Sequence, residues 1–179
     1  QHELSRNLIR DYVPDAISLR EDKFYIYAEG KDFSYVFSDV ESYIKNADLA
    51  IGNLETTFAG SSKGYGGYPA FNTPEALAND LAELGLDVIT TSNNHCLDTG
   101  YTGLESTLNF LDSAGLSHVG TARSFNEQNS ILIKNVNDIK IAFLSYTYGT
   151  NGIPIPEDKN YCVNLINKDF ILSQLQNAK

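Results

Sequence analysis

The residues from Asp87 to Gly100 (Asp-Val-Ile-Thr-Thr-Ser-Asn-Asn-His-Cys-Leu-Asp-Thr-Gly) restrict the fold of this chain more than any others. Val88-Ile-Thr-Thr91 is a short β-branched run, the composition of a buried strand, because branched side chains pack well on a pleated surface. Where that strand should end the side chains turn polar: Ser92, Asn93, Asn94, His95 and Asp98. Gly100 closes the loop, and Leu104, Leu108 and Leu111 then recur at helical spacing. Strand, polar turn and helix form the repeating unit of an open α/β sheet, whose sites lie at the carboxyl ends of the strands. An amide, an imidazole and a carboxylate within one such turn are what a metal or phosphate site needs.

The same logic recurs upstream. Asp48-Leu-Ala-Ile-Gly52 reads as a buried strand, and Asn53-Leu-Glu55 sits where it ends. Ser38-Asp-Val-Glu41 fits a capping box ahead of a helix from about Asp39 to Asn46. Thr73-Pro74 marks a second helix start, with Leu77, Leu81 and Leu84 on one face and Gly85 as its stop. A third helix is predicted from about Thr102 to Ala114, stopped by Gly115, with His118-Val119 opening the next strand. Ile131–Lys134 and Ile139–Tyr146 flank a hairpin signal at Asn135–Asp138, and Asn151–Lys159 is a loop. Tyr161–Ile166 reads as one more strand, and Lys168–Lys179 as an amphipathic helix. Nearer the start, Phe24-Tyr-Ile-Tyr-Ala28 has strand composition after a loop or short helix at Asp11–Asp22. The pattern predicts an α/β layered fold with a mixed sheet flanked by helices, in one domain spanning residues 1–179 without repeat or linker.

Composition narrows the function. With 179 residues, 42% of them hydrophobic, the chain can bury one core. A formal charge of −10 argues against a nucleic-acid surface, since phosphate contacts need clustered Lys and Arg. There is no apolar run of membrane-spanning length. Two cysteines neither require nor exclude a disulfide. The chain has no Met and begins at Gln1, so a processed or cut product of something longer is expected. The terminal helix has no strand after it, so the domain is expected to be incomplete at both ends.

Two strand-end loops would meet at one sheet edge if their strands are neighbours, as consecutive elements usually are. Asn53, Glu55 and Asn94 then offer oxygen donors suited to Mn²⁺, Fe²⁺, Zn²⁺ or Mg²⁺. His95 would protonate a leaving oxygen or steady a transition state, and Asp98 would fix its tautomer. Plainer readings stand beside these. Asn93 and Asn94 can serve a strained turn, Asp98 can cap the following helix, and Glu55 can be a solvated loop carboxylate. His118 reads as structural and Cys96 as a packing residue; His2 has no assigned role. The Gly-rich stretch Phe58–Tyr68 lacks a P-loop ending and is either a mobile lid or rim, or a surface loop. Glu55 and Asp98 could also be the paired carboxylates of a glycoside hydrolase, which needs them roughly 5–10 Å apart.

Ala47-Asp-Leu-Ala-Ile-Gly-Asn-Leu-Glu55, Gly67-Tyr-Pro-Ala-Phe-Asn72 and Asn93-Asn-His-Cys-Leu-Asp-Thr-Gly100 resemble the bacterial capsule-synthesis proteins of the CapA type. So do the helix to Gly115, the His118-Val-Gly120 step and Ile139–Tyr146, so that the resemblance runs from about Phe33 to Tyr148. It implies a metallophosphatase-like domain of the calcineurin-like phosphoesterase superfamily and a role in poly-γ-glutamate capsule production. In that superfamily pattern Gly52-Asn53 matches a Gly-Asp whose Asp bridges two metals, and Asn94-His95 matches an Asn-His pair in which Asn binds metal and His is catalytic. Asn53 departs from the pattern, because a neutral amide bridges two cations poorly. The family's opening Gly-Asp strand and its later histidine motifs are absent from these residues. The resemblance therefore implies a segment inactive by itself, part of a phosphoester hydrolase that acts on an anionic polymer or phosphoester. The competing reading is a non-catalytic surface module that binds capsule polymer or its synthesis partners. Expected partners are membrane-associated capsule-synthesis proteins, at the surface of a bacterium, with an anchor outside this chain.

Overall fold

The structure is a computed structural model that describes residues 32–179. The readings for Asp11–Asp22 and Phe24–Ala28, and His2, lie outside the described residues. In chain order the elements are α1 (Glu41–Lys45), β1 (Ile51–Asn53), α2 (Ala76–Glu83), β2 (Val88–Thr90), α3 (Gly100–Ser113), β3 (Ser117–Val119), α4 (Phe125–Asn129), β4 (Leu132–Val136), β5 (Ile139–Phe143) and α5 (Lys168–Asn177). Single 3-10 turns lie at Ser34–Phe37, Ser61–Lys63 and Glu157–Lys159.

β1, β2 and β3 form a parallel sheet in that order, with Ile51, Val88 and Ser117 side by side at one end and Asn53, Thr90 and Val119 at the other. Two helices feed this sheet through the same joint. After α2, Gly85 takes φ +97° and the Leu86 N–H donates back to the Leu81 carbonyl at 3.1 Å. After α3, Gly115 takes φ +77° and the Leu116 N–H donates to the Leu111 carbonyl at 3.0 Å. Each is a Schellman ending that turns the chain from helix to strand. β4 and β5 pair as a separate antiparallel hairpin, Leu132 opposite Phe143, turned by Asn137 and Asp138 at φ +50° and +65°. Positive φ at both central residues is the twist-matched hairpin turn that Asn and Asp tolerate. The fold is the α/β arrangement expected, with parallel and antiparallel sheets flanked by helices.

The core lies between the parallel sheet and its helices. Ile89 of β2 packs in one cluster with Leu81 of α2, Leu104, Leu108 and Leu111 of α3, and with Phe58, Leu97, Cys96 and Cys162 from the connections. Ile89, Leu104, Leu108 and Leu111 are at most 2% exposed, and each such side chain contributes about 1.5–3 kcal/mol of burial.

Four local expectations are corrected. Ser38 does not cap α1: its hydroxyl donates to the Tyr35 carbonyl, inside a 3-10 turn that displaces the capping geometry. α2 begins two residues beyond Pro74, because the Thr73 hydroxyl is paired with that of Thr56. The first strand starts at Ile51 rather than Asp48 and is exposed, with Ile51 51% accessible, since β1 is the edge of the described sheet. Residues 161–166 form no strand; Val163 and Leu165 make single bridges to Thr121 and Thr147.

Candidate functional site around His95

β2 is the central strand, so the turn that leaves it is covered on both sides. The Thr91 N–H donates to the Val119 carbonyl, and the Thr91 and Thr121 hydroxyls pair at 2.7 Å. The Ser92 hydroxyl reaches across to the Asn164 carbonyl at 3.0 Å. The loop after β3 lies so close that a Cβ on Gly120 would fall 2.5 Å from Ser92 Cβ, with φ at +119°. Only glycine fits there.

On this base stands the His95–Asp98 pair. His95 Nδ1 is 2.7 Å from Asp98 Oδ2, and the two side chains are 10% and 2% exposed. Asp98 Oδ2 also accepts the Phe71 backbone N–H at 2.6 Å. A carboxylate oxygen that already accepts one N–H draws the imidazole proton to Nδ1, leaving the Nε2 lone pair for chemistry. The Phe71 ring meets the imidazole edge-on, 4.4 Å between centroids at 69°. Asp98 therefore does not cap α3, whose N-cap is Thr99 without a side-chain cap. Its carboxyl is turned inward onto His95 and the Phe71 N–H.

The two asparagines before His95 have separate duties. Neither lies in the left-handed region, but Asn93 does bond its own backbone two residues on, as a turn asparagine does. Asn93 Oδ1 accepts the His95 backbone N–H at 3.0 Å, and its Nδ2 donates to the Leu54 carbonyl at 2.8 Å, joining the turns after β1 and β2. Asn94 Nδ2 donates to Asn151 Oδ1 at 3.1 Å, and no hydrogen bond among the described residues engages Asn94 Oδ1.

The turn after β1 is arranged differently. Asn53 Oδ1 accepts from the Thr90 hydroxyl at 3.2 Å and from Asn93 Nδ2 at 3.3 Å. That oxygen is spent, and the nitrogen it leaves cannot ligate a cation. Glu55 is exposed, and no hydrogen bond among the described residues holds its carboxylate. No group of three His, Cys, Asp or Glu placed to hold a metal ion occurs among the described residues. Asn94 and Glu55 remain as available oxygens, and two such donors do not make a divalent site, which needs several. The residues described here do not by themselves fit a metal.

Asn72 anchors the Gly-rich loop. It is buried, accepts the Ala59 N–H on its side chain, and donates to the Gly60 and Gly64 carbonyls at 3.1 and 2.8 Å. The Gly-rich loop is thus tied to one buried side chain at Ala59, Gly60 and Gly64. Cys96 is a packing residue: burial pushes its thiol up to about 12, and that of Cys162 up to about 11. His118 bonds Asp112 at 3.0 Å in a cluster with Arg123 and Glu127, away from the imidazole of His95.

Sequence reasoning missed two contributors. Phe71 gives both a backbone N–H and a ring to the pair, and Asn151 touches both Asn94 and His95. Phe71 sat inside a quoted motif, and Asn151 followed by Gly152 carried a turn signal, but neither signal names a partner.

Residues 10–174 match the family described as "Bacterial capsule synthesis protein PGA_cap". The chain is 28% identical over 183 residues to the "Capsule biosynthesis protein CapA" of Bacillus anthracis, covering 100% of this chain and 44% of that protein. It is 27% identical over 122 residues to the "PGA biosynthesis protein CapA" of Bacillus subtilis (strain 168), covering 66% of this chain and 32% of that protein. The chain thus spans less than half the length of these curated relatives. The layered α/β fold is consistent with the metallophosphatase-like architecture of that family, and the chain belongs to the bacterial capsule synthesis proteins.

Proposed function

We propose that this chain is part of a cell-surface protein that acts in the synthesis or export of an anionic capsule polymer such as poly-γ-glutamate, and that His95 transfers a proton in hydrolysis of a phosphoester. The observation that carries the reading is the 2.7 Å contact between His95 Nδ1 and Asp98 Oδ2 at the end of the central strand. With Nδ1–H held by Asp98, the Nε2 lone pair takes a proton from attacking water, and the resulting imidazolium, steadied by the carboxylate, gives that proton to the leaving oxygen. Such a group is worth about 10²–10⁴ in rate. The substrate is the anionic polymer or a phosphoester, and the partners are membrane-associated capsule-synthesis proteins. A divalent cation (Mn²⁺, Fe²⁺, Zn²⁺ or Mg²⁺) would supply electrophilic charge for such a substrate; Asn94 Oδ1 and Glu55 would contribute to it only with ligands from beyond the described residues. In the full-length protein His95→Gln should lower phosphoester turnover by about 10³. Unchanged turnover in that variant overturns the catalytic role.

The engaged Asn53 oxygen favours a second reading, a polymer-binding module that keeps the fold without the reaction. Calorimetry with Mn²⁺ and Zn²⁺ on this chain and on the full-length protein separates the two. Binding by the full-length protein alone supports the split-site hydrolase, and binding by neither supports the module.

A further inference from the structure

We infer that Asn151 is a positioning residue of this site, its one amide orienting both the His95 ring and the Asn94 side chain; this deepens the hydrolase reading and rests on it. Asn151 Oδ1 accepts from Asn94 Nδ2 at 3.1 Å. Fixing that nitrogen fixes the other end of the Asn94 amide, so Oδ1 stays presented away from Asn151. Asn151 Nδ2 lies 3.4 Å from His95 Nδ1 and 3.3 Å from His95 Nε2. An in-plane hydrogen bond to one ring nitrogen would leave the other distinctly farther. Near-equal distances place the amide nitrogen over the face of the imidazole, so the in-plane lone pair of Nε2 stays open to a reacting group.

Asp98 restrains the ring at Nδ1 and leaves it free to swing about that hydrogen bond. The Phe71 edge and the Asn151 amide supply the restraints that a single hydrogen bond lacks. The backbone at Asn151 is consistent with a committed role. It sits at φ +51° ahead of Gly152 at +80°, in a turn closed by the Thr150 hydroxyl on the Ile153 carbonyl at 2.6 Å. The left-handed region is unfavourable for a non-glycine residue, and Asn bears it more readily than most. The turn holds an amide against the pair from 56 residues away.

The test uses Asn151→Gly and Asn151→Asp in the full-length protein with ¹⁵N-labelled histidine and asparagine side chains. Glycine at a positive φ removes the amide without straining the turn. Aspartate keeps the acceptor for Asn94 and loses the N–H over His95. Asn151→Gly is expected to shift or broaden the His95 ring nitrogens, to release the Asn94 side-chain amide signal, and to lower kcat about 10- to 100-fold with KM unchanged. Asn151→Asp is expected to keep the Asn94 signal while still perturbing His95. Unchanged His95 nitrogens in Asn151→Gly overturn the positioning role. Full turnover in His95→Gln would instead sink the hydrolase reading, and the nitrogen spectra would still decide the fate of Asn151.

Discussion

The turns after β2 and after β1 carry the same kinds of side chain, amides followed by a carboxylate, and the fold treats them in opposite ways. After β2, Asp98 is enclosed, His95 is gripped by Asp98, Phe71 and Asn151, and Ser92 is locked to Asn164. After β1, Asn53 ends the edge strand of the described sheet and Glu55 is exposed. Among the described residues the difference follows strand position: β2 ends between β1 and β3, whereas β1 ends beside β2 alone. The side-chain restraints are therefore concentrated in the turn after β2, whereas the turn after β1 leaves its carboxylate unheld among the described residues.

That contrast fails if substitutions in the two turns cost the same. Asp98→Ala would leave the Phe71 N–H and His95 Nδ1 without their acceptor inside the protein, and should cost about 3 kcal/mol in urea denaturation. A cost under about 1 kcal/mol would show that the enclosed turn is no better held than the open one. Gly120→Ala tests the cover itself. A methyl group 2.5 Å from Ser92 Cβ at positive φ forces the two loops apart and should cost about 2 kcal/mol, read from the same denaturation curves.

The cluster on the other side of β3 gives a control remote from both turns. Burial pushes the Asp112 carboxyl up, but the Arg123 hydrogen bond and the charge and hydrogen bond of His118 outweigh it and leave it lowered. Glu127 is likewise raised by burial and brought down further by hydrogen bonds from the Arg123 side chain and backbone. Lowered folded values mean that the unfolded chain binds more protons at acid pH. The stabilisation is thus present above the ordinary carboxylate range, near pH 4, and is lost as pH falls below it. Arg123→Gln should lose less stability between pH 6 and pH 3 than the parent protein; an identical acid profile would show that the cluster does not contribute. The smallest effect is assigned to the open turn. Glu55→Gln should change stability by no more than about 0.5 kcal/mol in thermal melts, and a larger loss would mean that this carboxylate is held in the folded protein.

The parts legible in the sequence are those governed by neighbours along the chain. Val88–Thr90, the face of α3 and the glycine stops at Gly85 and Gly115 follow from periodicity and backbone chemistry, and the His95–Asp98 pair follows from a spacing of three residues. What stayed hidden is set by long-range choices. Thr73 had a partner in Thr56 that displaced its capping role, and the Asn53 oxygen was claimed by Thr90 and Asn93. Real capping hydrogen bonds formed at Ser124 and Asn167, where no competing partner took the side chain. Asn151 and Phe71 reach His95 from opposite directions along the chain, and no local pattern reports such a meeting.

The Phe71 N–H bound to Asp98 has a kinetic consequence. The His95–Asp98 contact is local and needs no distant residue to form, but the Phe71 tie closes 27 residues of chain and the Asn151 tie 56. Contacts of that span carry a loop-closure cost before they reward it, so they belong to the late part of assembly. The exchange of the Phe71 amide proton with deuterium is then a clock for the whole site. It should be protected only in molecules whose strands are already paired, and it should open together with the Gly-rich loop before the core of α3 does.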